Sequence, residues 1–398
     1  MKTQNLDAKT RLPSGIWVLG FVSLLMDVSS EMIHSLLPVY LLSVLGVSAV
    51  TIGFIEGAAK ATAEITKVFS GVLSDYLGKR KGLTLLGYGL GAVTKPMFAL
   101  APSVGWILTA RLTDRVGKGI RGAPRDALIA DLVPVSMRGA AYGLRQSLDT
   151  FGAFAGPLIA IGLMLLWAND YQAVFWVAVI PAALAVGLLF FGVHEPERAV
   201  TKTRSNPISR EGLRQLDQAY WWVVILGAVF TLARFSEAFL LLRAESNGLA
   251  IAWMPMIFVM MNAAYAVSAY PFGKLADRVN HRYLLMIGLC LLIVADIILA
   301  LGEHWLWTLL GSMIWGLHMG MTKGLLATMV ANTAPASLRG TAFGFFNLAS
   351  GISLLIASVL AGILWQYAGP ALTFYAGAGF CVVTLIGLAL RPVGQLAR

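Results

Sequence analysis

The chain has 398 residues, 58% of them hydrophobic and 13% charged, with a mean hydropathy of +0.76. That composition excludes a soluble globular domain and a disordered chain and points to an integral membrane protein. The formal net charge of +10 does not need a nucleic-acid partner, because the Lys and Arg outside the apolar runs gather on one side of the proposed membrane.

The first polar residues, MKTQNLDAKTRLPSG, lead into a long apolar stretch without a small-residue cleavage pattern, so the first span is read as uncleaved. A helix needs about 20 mostly apolar residues to cross the hydrocarbon core. Twelve stretches qualify: 15–43, 48–74, 82–101, 104–130, 138–166, 172–193, 219–243, 249–275, 282–301, 305–331, 338–365 and 371–391. With a cytoplasmic N-terminus, the inner segments hold Lys79, Arg80, Lys81, Arg138, Arg198, Lys202, Arg204, Arg210, Arg214, Lys274, Arg278 and Arg339 among others, whereas the outer segments hold only Arg243. Lys and Arg in short loops set orientation, so both termini are expected inside. Cys290 and Cys381 lie in apolar runs and are read as packed thiols.

The polar break at 194–218 divides the chain into an N-terminal half, 1–193, and a C-terminal half, 219–398. The halves repeat. GVLSD around Asp75 recurs as GKLAD around Asp277, and PVSMRGAAYG from Pro134 recurs as PASLRGTAFG from Pro335, at offsets of 202 and 201 residues. The expected fold is therefore all-α and membrane-integral: twelve transmembrane helices in two pseudo-symmetric six-helix halves. Internal repeats of this kind mark secondary transporters with a site at the repeat interface.

These residues resemble the major facilitator superfamily over essentially the full length. GVLSDYLGKRKG, with Gly71, Asp75 and Gly78, is similar to the family's gating loop between spans two and three, with Tyr76 where Arg is usual; GKLADRVNHR, with Gly273 and Asp277, is its second copy, with Asn280 in place of Gly. RVGKGIRGA, from Arg115 to Ala123, resembles the family's span-four motif, with Lys118 and Arg121 replacing an amide and a glycine. Gly143, Gly152, Gly156 and Pro157 fit the antiporter pattern of span five, except that Ala160 and Ile161 replace its closing glycine pair. The string DRVGKGIRGAPRDAL is similar to a branch of mostly unassigned permeases. The resemblance implies a cavity lined by spans one, four, seven and ten, alternating access, export by antiport, and gating contacts from Arg125 or Arg121 to Asp75.

Charged residues inside the spans supply the candidate site. A charge at the bilayer centre costs about 2.5–3.5 kcal/mol on insertion scales, so such groups should be paired or face water. Asp27, Glu31 and His34 share one face of span one at helical spacing. Glu56, Lys60, Glu64 and Lys67 form an alternating-sign stripe on span two. Arg111, Arg115, Lys118, Arg121 and Arg125 share a face of span four, and shifting them by 201 residues lands Arg115, Lys118, Arg121 and Arg125 on the uncharged Gly316, Met319, Thr322 and Leu326. Gly119 and Pro134 keep their identity as Gly320 and Pro335. The fold needs the glycine and proline, and the cations serve substrate, proton or gate.

Asp27, Glu31, Glu64 and Asp149 are the candidate proton acceptors, with permanent salt bridges to Arg115 or Lys60 as the alternative for Asp27 and Glu31. His34, Lys60, Arg115, Lys118, Arg121, His318 and Lys323 are the candidate cavity residues. Lys118 and Arg115 suit an anionic substrate group. Met254, Met256, Met260 and Met261, with His318, Met319 and Met321, suit a copper-like ion instead. No Walker pattern, metal-ligand signature or nucleophile elbow appears, so the expectation is a non-enzyme without cofactor or resident metal, driven by an ion gradient. A proton-coupled exporter of a small organic compound follows, acting as a monomer in the bacterial inner membrane; transport of an organic anion or a metal ion is the alternative, and a non-transporting receptor a remote one.

Overall fold

The computed structural model describes residues 12–77, 80–134, 137–194, 216–276, 279–322, 325–335 and 338–390. Among them there is no strand. The apolar runs become Ser14–His34 (span one), Ala49–Leu77 (two), Arg80–Ala99 (three), Val104–Leu132 (four), Arg138–Leu166 (five) and Tyr171–Gly192 (six). They continue as Gln218–Ala233 with Ala238–Ser246 (seven), Met256–Ala276 (eight), His281–Leu301 (nine), Trp305–Thr322 with Leu325–Thr333 (ten), Arg339–Ala368 (eleven) and Pro370–Leu390 (twelve).

Local chemistry explains the ends. Ser103, Asp170 and Asn280 accept hydrogen bonds from the first-turn amides of Trp106, Ala173 and Arg282, as N-capping side chains do. Gly248 and Gly369 adopt φ of 81° and 91°, a left-handed conformation open to glycine at no steric cost. Among the described residues, eight helical segments are long and apolar enough to cross a membrane. Spans two, three, four and ten are not among them, and spans two and four carry most of the buried charge.

Helix packing relies on small residues, because lipid offers no hydrophobic drive between helices. A Cβ on Gly117 would fall 2.7 Å from the Gly87 carbonyl oxygen, joining spans three and four, and one on Gly316 would fall 2.1 Å from that of Met261, joining spans ten and eight. The repeat is visible in these contacts. Gly87 faces Arg121 and Gly119 faces Thr66; 201 to 202 residues on, Gly288 faces Thr322 and Gly320 faces Ser268.

Spans two and eleven, and spans five and eight, join the first half to the second. The span two–eleven seam is tightest at the end opposite the termini. There, a Cβ on Gly53 would fall 2.2 Å from the Ser358 carbonyl oxygen, and one on Gly362 would fall 2.6 Å from that of Ala49. Large apolar side chains such as Phe191, Val267 and Leu390 are more than 70% exposed around the outside, the surface expected to meet lipid.

Two spans are interrupted. Span one breaks at Ser35 and Leu36, where Pro38 cannot donate a backbone hydrogen bond, and resumes through Leu37–Val39 and a wide turn over Tyr40–Val44. Span seven, expected to be continuous over 219–243, breaks between Ala233 and Ala238. Ser358 Oγ accepts from the Ser236 amide at 3.2 Å and Ser236 Oγ from the Ala238 amide at 3.3 Å, so hydroxyls replace lost helical partners. Ser35 and Ser236 are 201 residues apart, so the two breaks occupy equivalent places in the halves.

Candidate functional site

Both breaks open onto one cavity of about 270 Å³. Its first wall carries Glu31 and His34 from span one, Glu56 and Lys60 from span two, and Arg111, Arg115 and Lys118 from span four. The second wall carries Ser236 and Glu237 from the span-seven break, Phe258, Met261 and Asn262 from span eight, and Met319 from span ten. Irregular backbone at membrane depth is tolerated where it lines a cavity, and Glu237 owes its position to that break.

Most of the cations are already engaged. Arg111 donates to Glu56 at 2.7 Å, with both side chains 5% exposed. Lys60 pairs with Glu237, linking the two walls. Arg115 donates to the His34 ring at 2.9 Å, and its Nε lies 3.4 Å from Asp114. Behind the wall, the fully buried Lys95 donates to Asp114 and to Ser30, each at 3.0 Å. His34 stands 3.6 Å from Asp114 and 3.8 Å from Glu31, so a polar chain runs from Lys95 through Asp114 and His34 to a carboxylate on the cavity. Such pairing is what charge inside a membrane requires.

Lys118 differs from its neighbours. It is exposed at the cavity and makes no hydrogen bond or ion pair among the described residues. Asp27 likewise has no ion pair within 4 Å among them, although the charges of Asp149, Lys118 and Arg121 act on it. Neither Asp27 nor Glu31 is locked to Arg115 or Lys60, the alternative that the sequence left open.

Toward the termini, Arg121 lies over the Tyr88 ring at 4.5 Å, and Arg125 reaches Asp126, Ser23 and Tyr88 at 3.1, 3.3 and 3.4 Å. Asp149 accepts from Arg145 at 3.0 Å. Gly152 and Gly156 pack on span one, where added Cβ atoms would fall 2.7 and 2.8 Å from the carbonyl oxygens of Leu24 and Val28; Pro157 is buried beside them. Gly152 and Gly156 therefore face span one of their own half, whereas an added Cβ on Gly143 would meet nothing within 4 Å. Gly78, Asp277 and Lys323 lie outside the described residues, as do Gly71, Asp75 and Gly273 beyond their backbone.

Other expectations rearrange. The span-two stripe is not joined by ion pairs one turn apart; Glu56 and Lys60 pair across to spans four and seven, and Glu64 lies near Gly351 of span eleven. His318 faces away from the cavity, with Nδ1 2.8 Å from the Gly288 carbonyl oxygen and its ring on Phe230. Met261 and Met319 reach the cavity without it. No group of three or more His, Cys, Asp or Glu among the described residues is placed to hold a metal. Sequence reasoning missed Glu237 and treated Glu56 and Arg111 as charges to be neutralised rather than as cavity wall. The signal for Glu237 was the pair Arg234 and Glu237 inside an otherwise apolar span.

The sequence profile of the Major Facilitator Superfamily matches residues 19–261 and 238–395. An uncharacterized MFS-type transporter of Methanocaldococcus jannaschii is 29% identical over 388 residues, covering 96% of each chain. The multidrug resistance protein MdtH of Edwardsiella ictaluri is 27% identical over 370 residues, covering 89% of this chain and 87% of its own. A crystal structure of a POT family transporter in complex with 5-aminolevulinic acid superposes with a TM-score of 0.81 at 16% identity, covering 96% of each chain, which is a likeness of fold.

Proposed function

The chain belongs to the Major Facilitator Superfamily and is a multi-pass membrane transporter, and on that premise we propose that it exports a small organic compound by proton-coupled antiport. The observation that carries this is the pair of repeat-related helix breaks opening on one polar cavity between the halves. Discontinuous helices at corresponding positions of two repeats point to a transport site.

The halves 1–193 and 219–398 rock about that site, with 194–218 as the linker. In the described conformation the seam is tightest opposite the termini. With both termini in the cytoplasm of a bacterial cell, this conformation opens the cavity inward, the side on which an exporter takes up its solute. Asp27 and Glu31 carry the coupling proton, supported by their freedom from fixed ion pairs; Glu64 and Asp149 are secondary carriers. His34 and Arg115 transmit the charge state of Glu31 to the buried Asp114–Lys95 pair. Lys60–Glu237 breaks and reforms as the walls separate. The protein works as a monomer, without cofactor and without catalysis.

The test is proton movement from proteoliposomes on addition of solute. Wild type releases protons with solute flux, and Asp27→Asn with Glu31→Gln reduces the coupled flux at least about tenfold, equivalent to roughly 1.4 kcal/mol. Unchanged coupled flux in that double variant would remove these carriers.

A further inference from the structure

We infer that the solute is a small zwitterion of amino-acid size, its anionic group held by Lys118 and its ammonium group by Glu31. The inference rests on the transport reading above and adds the substrate class.

Charge pairing carries it. Arg111 is committed to Glu56, Lys60 to Glu237, and Arg115 to His34 and Asp114. Lys118 on span four has no such partner among the described residues. Among the described residues, Glu31 on span one has His34 as its one basic neighbour within 4 Å, at 3.8 Å, beyond hydrogen-bond length. Arg115, which can only donate, lies 2.9 Å from both ring nitrogens of His34, and one of them accepts from it. Glu31 and Lys118 therefore border the same cavity with no fixed partner among the described residues; Asp27, the third such group, acts on Lys118 but does not line the cavity. A zwitterion satisfies both. A simple amine would leave Lys118 unpaired and repelled, and a simple acid would do the same to Glu31; desolvated charge without a partner is costly.

Size and the facing wall agree. A cavity of about 270 Å³ lies below the range of roughly 300–1,000 Å³ typical of drug-sized ligands. Phe258, Met261 and Met319 supply an apolar face opposite the charged one, suited to an aliphatic or aromatic side chain.

The experiment measures thermal stabilisation of the purified full-length protein by matched probes: leucine, isoamylamine and 4-methylpentanoate; phenylalanine, phenethylamine and 3-phenylpropanoate. A ligand stabilises the state it binds. The zwitterion of at least one set should raise the melting temperature at concentrations where its amine and acid do not. Lys118→Gln and Glu31→Gln should each weaken that response at least tenfold, while Lys118→Arg keeps it and shows that the fold is intact. An amine or acid as effective as its zwitterion, no response to any zwitterion, or an undiminished response in Lys118→Gln would overturn the inference. Proton-coupled flux of a solute of another charge class would then leave the transport reading standing; absence of coupled flux for any solute would remove that reading itself.

Discussion

The Glu56–Arg111 pair shows how single residues settle the cavity's chemistry. Each side chain is 5% exposed, and Glu56 Oε1 and two of the Arg111 nitrogens have no hydrogen-bond partner among the described residues. Removing one member leaves the other as a buried, uncompensated charge, whereas replacing both with apolar groups removes the problem. Glu56→Ala should therefore destabilise the protein by about 3–5 kcal/mol, and adding Arg111→Met should recover most of the loss, as read from melting curves in detergent. Simple additivity of the two changes would show that the pair is not coupled. At this scale the sequence gives the inventory of charge but not its partners. Helical spacing correctly grouped the span-four cations on one face, yet Lys60 meets Glu237 at a separation of 177 residues, which no local pattern encodes.

Among the helices, the glycines of span five separate packing from pattern. Gly143 has nothing within 4 Å of an added Cβ, while Gly152 would meet the Leu24 carbonyl oxygen at 2.7 Å. Backbone cannot yield as a flexible side chain does, and overpacking costs about 1–3 kcal/mol. Gly152→Ala should lower the melting temperature and reduce the yield of folded protein, whereas Gly143→Ala should leave both near wild type; the reverse order would show that spans one and five do not meet this way. The spans themselves were legible because hydropathy is a local signal. The span-seven break was not, because its freed amide is satisfied by Ser358, 122 residues away, and Glu237 is tolerated beside a cavity that the sequence does not show.

For the whole molecule, the repeat was the most informative part of the sequence. Its offset of about 201 residues reappears as matching helix contacts, Gly87 on Arg121 and Gly288 on Thr322, and as matching breaks at Ser35 and Ser236. The repeat also exposed the asymmetry of charge between the halves; what it could not give is the pairing across them. The first half supplies most of the charge, and the second supplies the apolar face with Glu237 as the tie between them. On the proposed reading, two halves joined along a glycine-packed seam act as a bistable body, in which a modest change of charge at the cavity selects one of two packings.

The most direct measurement of that claim is the distance between spin labels on either side of the closed seam, at Val44→Cys and Tyr367→Cys, both exposed near the end opposite the termini. Cys290 and Cys381 are replaced first. Alternating access predicts two distance populations whose ratio shifts with pH and solute, with the pH response lost in Asp27→Asn plus Glu31→Gln. A single distance, unmoved by pH or solute in the otherwise native protein, would contradict the account.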